Sequence, residues 1–272
     1  MPKIKAGDIQ INYERNGKGQ PLLLITGIGY GKWFWHKIVP GLAEKFQVIT
    51  FDNRGAGETG KPAGPYTISM MANDTANLLE ALELENVHIM GHSLGGFIAQ
   101  ELGVYRPDLV NRLILASTNF GGKKVVPTTP EAYKILTNRQ GDPVELVRRG
   151  IAVACAPGFE ERQPQVVQEL LNYRFTGPVP AEQFSAQVAA GEGTSALTDQ
   201  QVNERMAALR MPVLVLFGEE DRVVPPENAV LMAEKLPDAR VKIIPNTGHI
   251  FPIEDPEATI QAMVEFLSEG EA

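Results

Sequence analysis

Val87-His88-Ile89-Met90-Gly91-His92-Ser93-Leu94-Gly95-Gly96-Phe97-Ile98-Ala99 is the stretch from which the rest of the chain is read. Four residues of strand-like composition lead into Gly91. Apolar residues then fall at Leu94, Phe97, Ile98, Leu102 and Tyr105, the spacing of one helix face, and Pro107 closes the run. Ser93 therefore sits in the turn between a buried strand and a helix. A G-x-S-x-G in that context is a nucleophile elbow, a tight turn that holds a serine hydroxyl out at the carboxyl edge of a sheet. With 26 glycines and 6 serines in 272 residues, random placement gives about 0.05 such matches per chain.

Outward from the elbow the pattern alternates strand and helix. Lys3 to Lys5 and Ile9 to Arg15 read as two strands joined by the turn Ala6-Gly7-Asp8. Leu22 to Thr26, Phe46 to Phe51, Asn111 to Ala116, Pro212 to Phe217 and Arg240 to Ile244 read as further strands, most of them apolar runs suited to burial on both faces. Trp33 to Lys45, Ser69 to Leu84, Pro226 to Leu236 and Pro256 to Leu267 read as helices. Such alternation implies an α/β fold with right-handed crossovers and a mostly parallel central sheet flanked by helices.

Around Gly121 the strands stop, and helices alone are expected to about Ala208. Asp142-Pro143 is a helix start, Val166 to Leu171 marks a second helix, Phe184 and Val188 a third, and Thr198-x-x-Gln201 is a capping-box start for a fourth. The expected organisation is a core domain from residues 1–120 and 209–272, with 121–208 inserted as a helical cap over the active edge. A cap of this kind excludes water and shapes a substrate pocket.

Composition narrows the function classes. A net charge of −8 and a pI near 5.2 argue against nucleic acid and anionic membrane as partners. Cys155 stands alone, so no intrachain disulfide is possible, and four scattered histidines without an H-E-x-x-H spacing give metal catalysis little support. Neither a cofactor nor a metal is expected. The start MPKIKAGDIQ lacks an apolar leader core and no run of 18 apolar residues occurs, so a soluble, cytoplasmic protein is expected, monomeric or a small homo-oligomer.

A serine hydroxyl needs a general base. His36 falls in an expected helix and His88 in the elbow strand, which suits structural roles, and His92 in an elbow points away from the serine. His249, in the loop Asn246-Thr247-Gly248-His249 after a strand, can reach the sheet's carboxyl edge and is the best candidate. Its carboxylate partner must come from the same edge, where Glu219, Glu220 and Asp221 all lie on one loop. The glycine-rich loop Thr26 to Gly31 leaves the end of a central strand and reads as an oxyanion loop. Asp52-Asn53-Arg54-Gly55-Ala56-Gly57 reads as a hydrogen-bonded brace.

Taken together, Asp52 to Gly57, Gly91-His92-Ser93-Leu94-Gly95-Gly96, Gly218-Glu219-Glu220-Asp221 with Val224-Pro225, and Gly248-His249 resemble the α/β-hydrolase superfamily over essentially the whole chain. The resemblance is to its compact cap-bearing branch of carboxylesterases, enol-lactonases, non-haem peroxidases and C–C hydrolases. It implies an α/β-hydrolase fold and a triad of Ser93, Asp221 and His249, the acid standing three residues after Gly218. It also implies oxyanion donors at the backbone N–H groups of Leu94 and Ile28. One departure is visible: the family usually has His-Gly where this chain has Thr26-Gly27, so a different local hydrogen-bond network is expected. The function expected is hydrolysis of carboxylic esters of small, largely apolar substrates through an acyl-enzyme. Alternatives are an enol-lactonase or C–C hydrolase with the same triad, and, from other classes, a perhydrolase, a lyase or a slow-turnover small-molecule receptor. Trp33, Phe34, Tyr133, Phe159, Phe184, Ile250 and Phe251 suit a pocket wall and plain core equally.

Overall fold

The computed structural model describes residues 2–138 and 140–269. Eight strands form one sheet: β1 (Lys3–Ala6), β2 (Ile9–Asn16), β3 (Gln20–Ile25), β4 (Phe46–Phe51), β5 (Val87–His92), β6 (Val110–Ala116), β7 (Val213–Gly218) and β8 (Ala239–Ile244). Their order across the sheet is β1-β2-β4-β3-β5-β6-β7-β8. The β1–β2 hairpin turns at Gly7 and β2 runs antiparallel to β4, while every pair from β4 to β8 is parallel.

The apolar runs alternate between two cores. Leu23, Ile25, Ile49, Ile89, Leu113, Leu115, Val213 and Val215 face one layer. Leu22, Leu24, Val48, Met90, Ile114, Leu214 and Leu216 face the other. Both faces are covered, which is why the strands carry no polar alternation. On the first face lie α2 (Ile68–Ala81) and α3 (Leu94–Tyr105), joined by α10 (Glu227–Ala233); on the second lie α1 (Val39–Leu42), α11 (Phe251–Glu254) and α12 (Pro256–Leu267).

Between β6 and β7 the chain forms α4 (Pro130–Thr137), α5 (Pro143–Ala154), α6 (Phe159–Arg162), α7 (Pro164–Thr176), α8 (Ala181–Glu192) and α9 (Asp199–Ala208). Asp142 caps α5 by accepting from the Val144 and Glu145 amides, and Thr198 with Gln201 forms the capping box of α9. Ile151, Val167, Leu170 and Leu171 join the second core, whereas Ala186, Ala190, Val202 and Met206 join the first. The inserted helices thus straddle the sheet.

The expected helix over Trp33 to Lys45 is broken in two: a 3-10 turn at Lys32–Trp35 and the single turn α1. Pro40 has no N–H to give to His36, so the helix cannot run through. His36 consequently ends the 3-10 turn, with Nδ1 2.9 Å from the Trp33 carbonyl and Nε2 3.0 Å from Glu169. Helices α6 and α11 are single turns of four residues, too short to show a helical period in the sequence, and α4 spans only eight.

His88 lies on β5 at 1% exposure, edge-on to Phe46, and among the described residues neither ring nitrogen has a hydrogen-bond partner. Burial, aided by Arg112, pushes its pKa down to about 4. Because the folded value lies below the ordinary 6.5, the unfolded chain takes the proton first, and stability falls as pH drops from the ordinary value toward the folded one. At pH 5 this linkage is worth about 2 kcal/mol. His88→Leu is therefore expected to gain more stability over the parent at pH 5 than at pH 8 in urea unfolding. Equal differences at the two pH values would remove His88 as the source of acid sensitivity.

Candidate active site

Parallel register brings the ends of β3, β5, β6, β7 and β8 into line, with Ile25 opposite Gly91, His92 opposite Ala116 and Gly218 opposite Ile244. The chain also changes direction here, since β4 and β5 lie on opposite sides of β3. Open α/β sheets bind ligands at such a switch point.

Ser93 occupies φ 55°, ψ −118°, a conformation few non-glycine residues adopt. Its N–H donates to the Ala116 carbonyl at 2.9 Å and its carbonyl accepts from the Gly96 amide at 2.9 Å, so backbone contacts hold the strain. The two motif glycines are required by close approach. A β-carbon on Gly91 would lie 2.2 Å from the Gly95 carbonyl oxygen, and one on Gly95 would lie 2.2 Å from that of Ile25. The Leu94 amide opens α3, where the first N–H groups have no partner within the helix.

The Thr26 to Gly31 loop passes directly over Ser93; a β-carbon on Gly27 would be 3.0 Å from that of Ser93. Thr26 is held by Asn53, whose Nδ2 donates to its carbonyl at 3.0 Å and its hydroxyl at 3.2 Å, and the Thr26 hydroxyl donates to the Tyr30 carbonyl at 3.3 Å. Threonine thereby braces the loop where a histidine is usual. Asp52 to Gly57 is the expected brace as well. Asp52 accepts from Asn12 Nδ2 and the Lys32 amide, each at 2.7 Å, and Arg54 pairs with Asp74 at 2.6 Å and Asp8 at 2.8 Å.

On the adjoining loops, Asp221 Oδ2 lies 2.8 Å from His249 Nδ1, and Oδ1 accepts the Val223 and Val224 amides at 2.9 and 2.8 Å. Asp221 is buried. Glu219 instead stays exposed and accepts from the Asn246 amide, and Glu220 spends its backbone N–H on the Thr247 carbonyl. Of the three acids open in the sequence, the structure brings Asp221 to the imidazole. With Nδ1–H directed at a carboxylate, Nε2 of a neutral His249 carries the free lone pair.

His92 points away from the serine and serves the histidine loop. Its Nε2 lies 2.7 Å from the His249 carbonyl, which can only accept, so the proton sits on Nε2. Complete burial holds its pKa far below the ordinary value, keeping it a neutral donor. The His249 amide donates to the Ala154 carbonyl at 2.7 Å. Glu254 accepts the Gly248 amide at 2.9 Å and the Ala156 amide at 2.7 Å, tying that loop to the end of α5. Burial raises the Glu254 pKa to about 7 against these two donors.

Of the large apolar residues noted in the sequence, Phe34, Phe159, Ile250 and Phe251 are core, and Tyr133 is exposed. Trp33 stacks on Tyr173 of α7, rings 4.8 Å apart, and Phe184 of α8 packs on Gly29. Gln187, Glu254 and the Ala154 carbonyl went unnoticed in the sequence. Gln183 and Gln187 lie buried at i and i+4 on α8.

A strained serine at a strand-to-helix turn, with an Asp–His pair on neighbouring strand ends, defines a protein of the α/β-hydrolase class. The family model described as the alpha/beta hydrolase fold matches residues 20–256, and the chain belongs to that family. A protein of Azorhizobium caulinodans named for carbamate hydrolysis, RutD, is 29% identical over 99% of each chain. A 2-hydroxy-6-oxo-6-(2'-aminophenyl)hexa-2,4-dienoic acid hydrolase of Metapseudomonas resinovorans is 29% identical over 97% of this chain and 90% of its own. Among solved structures, a thermophilic esterase from Thermogutta terrifontis superposes with a TM-score of 0.79 at 29% identity, over 98% of both chains. No helix among the described residues is long and apolar enough to cross a membrane.

Proposed function

We propose that the protein hydrolyses carboxylic esters of small, largely apolar substrates through an acyl-enzyme on Ser93, with 121–208 acting as the cap. The observation that carries this reading is the 2.8 Å contact of His249 Nδ1 with Asp221 Oδ2 at the same sheet edge as the strained Ser93. In the first half-reaction His249 Nε2 takes the hydroxyl proton as Ser93 Oγ bonds to the ester carbon. The Leu94 and Ile28 amides stabilise the resulting oxyanion, and the alkoxide leaves with the proton from His249. Water, deprotonated by His249, then releases the acid and restores Ser93. The surroundings support an apolar substrate: Leu94, Ile28 and Phe184 flank the loop, and Gly191 packs toward Leu94 and Ile28.

Sustained turnover of short p-nitrophenyl esters, with stoichiometric labelling of Ser93 by an organophosphate read by peptide mass spectrometry, is the expected result. Labelling at another residue would overturn the assignment. Turnover of lactones or vinylogous diketones without esters would move the reading to the C–C hydrolase and lactonase side, where the relative from Metapseudomonas resinovorans belongs by name.

A further inference from the structure

Gln187 is fully buried, and both ends of its amide are used far from α8. Its Oε1 accepts the Gly29 N–H at 2.9 Å, and its Nε2 donates to the Arg54 carbonyl at 3.0 Å. Arg54 is itself pinned by Asp74 and Asp8. The next contact to Gly29 comes from α7, where the Arg174 guanidinium donates to its carbonyl while lying 4.4 Å over the Tyr30 ring. Phe184 closes the third side, since a β-carbon on Gly29 would lie 2.7 Å from its ring. The donor, the acceptor and the open face of one residue in the oxyanion loop are thus all covered by inserted helices.

That residue matters because Gly29 has φ +72° and no side chain to restrict it. Its N–H belongs to the Ile28–Gly29 peptide unit, adjacent to the unit that carries the Ile28 N–H. The two units share the Ile28 Cα, so an anchor on the Gly29 N–H fixes the course of the chain just beyond Ile28 and limits how far the Ile28 amide can swing. Thr26, held by Asn53, reaches across to the Tyr30 carbonyl at 3.3 Å, and the Tyr30 N–H meets the Gly27 carbonyl at 3.5 Å, while the Gly29 N–H at the loop's apex is taken by Gln187.

We propose that Gln187 is a positioning residue, anchoring the oxyanion loop at Gly29 so that the adjoining Ile28 N–H stays directed at the carbonyl under attack, and that the oxyanion site is therefore complete only with α8 seated. This rests on the reading of Ser93 as nucleophile and Ile28 as an oxyanion donor. Cap and oxyanion loop are then one unit.

Gln187→Leu removes both hydrogen bonds and keeps an apolar branch. Since a whole oxyanion donor is worth about 10²- to 10³-fold, its misplacement is expected to lower kcat on a p-nitrophenyl ester by about 10- to 100-fold, with KM moving less than about threefold. A trifluoromethyl ketone, which adds to the serine and places an oxyanion in the same site, is expected to lose affinity in parallel with kcat. Gln187→Asn draws the amide back by one methylene and should show the same pattern; it serves alone if the leucine variant does not fold. Unchanged kcat, or a rise in KM with ketone affinity intact, would overturn the proposal. Organophosphate labelling of Ser93 in each variant separates the two levels: labelling with normal kcat removes Gln187's role alone, whereas a fully active Ser93→Ala removes the underlying reading.

Discussion

Ser93→Ala is expected to lower turnover of a short-chain p-nitrophenyl ester by about 10⁵- to 10⁶-fold while leaving the fold intact. The chemical half of that expectation follows from the nucleophile. On the proposed mechanism no acyl-enzyme forms without Oγ, and what remains is the binding and oxyanion stabilisation that still assist a water molecule, about 10³- to 10⁴-fold over the uncatalysed rate. The structural half follows from how the elbow is held. Its strained φ is maintained by the Ser93 N–H to Ala116, the Ser93 carbonyl to Gly96, and the close contacts at Gly91 and Gly95, none of which involves the hydroxyl. Alanine should therefore occupy the same turn with a Tm shift within a few degrees. Steady-state assay and calorimetry on the same preparation check both halves. Turnover within 100-fold of the parent would mean that another group carries the reaction.

How much of this was legible before the structure depends on the range of the interactions concerned. The elbow was readable because Gly91, Ser93 and Gly95 lie within five residues, and their spacing reflects contacts to residues on the same turn and the next strand. The β-strands were readable because a sheet covered on both faces leaves uninterrupted apolar runs such as Leu22 to Ile25 and Val213 to Phe217. His249 and the acid loop followed from their places after β8 and β7. Between Asp221 and its two Glu neighbours the reading of the residues left a tie, and geometry resolves it: Asp221, with one fewer methylene, meets both the Val223 and Val224 amides and the imidazole.

What escaped the sequence is held by long-range polar contacts. Gln187 reaches back 158 residues to Gly29, His92 reaches forward 157 to the His249 carbonyl, and Glu254 joins Gly248 to Ala156 across the α5 end. None of these has a local pattern, because each partner is a backbone group that any residue supplies. The break at Pro40 belongs to a different class. It was visible in the sequence, but the apolar spacing of Phe34, Ile38 and Leu42 outweighed it.

Asp221→Asn tests the remaining member of the constellation, and the result turns on how an amide would be oriented. Asp221 Oδ1 accepts two backbone amides, from Val223 and Val224, and Oδ2 faces His249 Nδ1. An asparagine has one oxygen and one NH2. Two fixed backbone donors will hold the oxygen, so the NH2 is left pointing at Nδ1. Because the NH2 can only donate, Nδ1 must accept, and the ring proton moves to Nε2. On the proposed mechanism His249 then presents a donor where Ser93 needs an acceptor, and the imidazolium formed during attack meets no negative charge. A loss of about 10⁴-fold in kcat is expected, with little change in KM, since Asp221 is 3% exposed and engaged by His249 and two backbone amides. Nitrogen-15 NMR of the His249 ring should show the proton on Nε2 in the variant and on Nδ1 in the parent at high pH. If kcat fell without that tautomer change, the loss would come from the missing charge alone. If kcat held, Asp221 would be an architectural acid, capping the Val223 turn and nothing more.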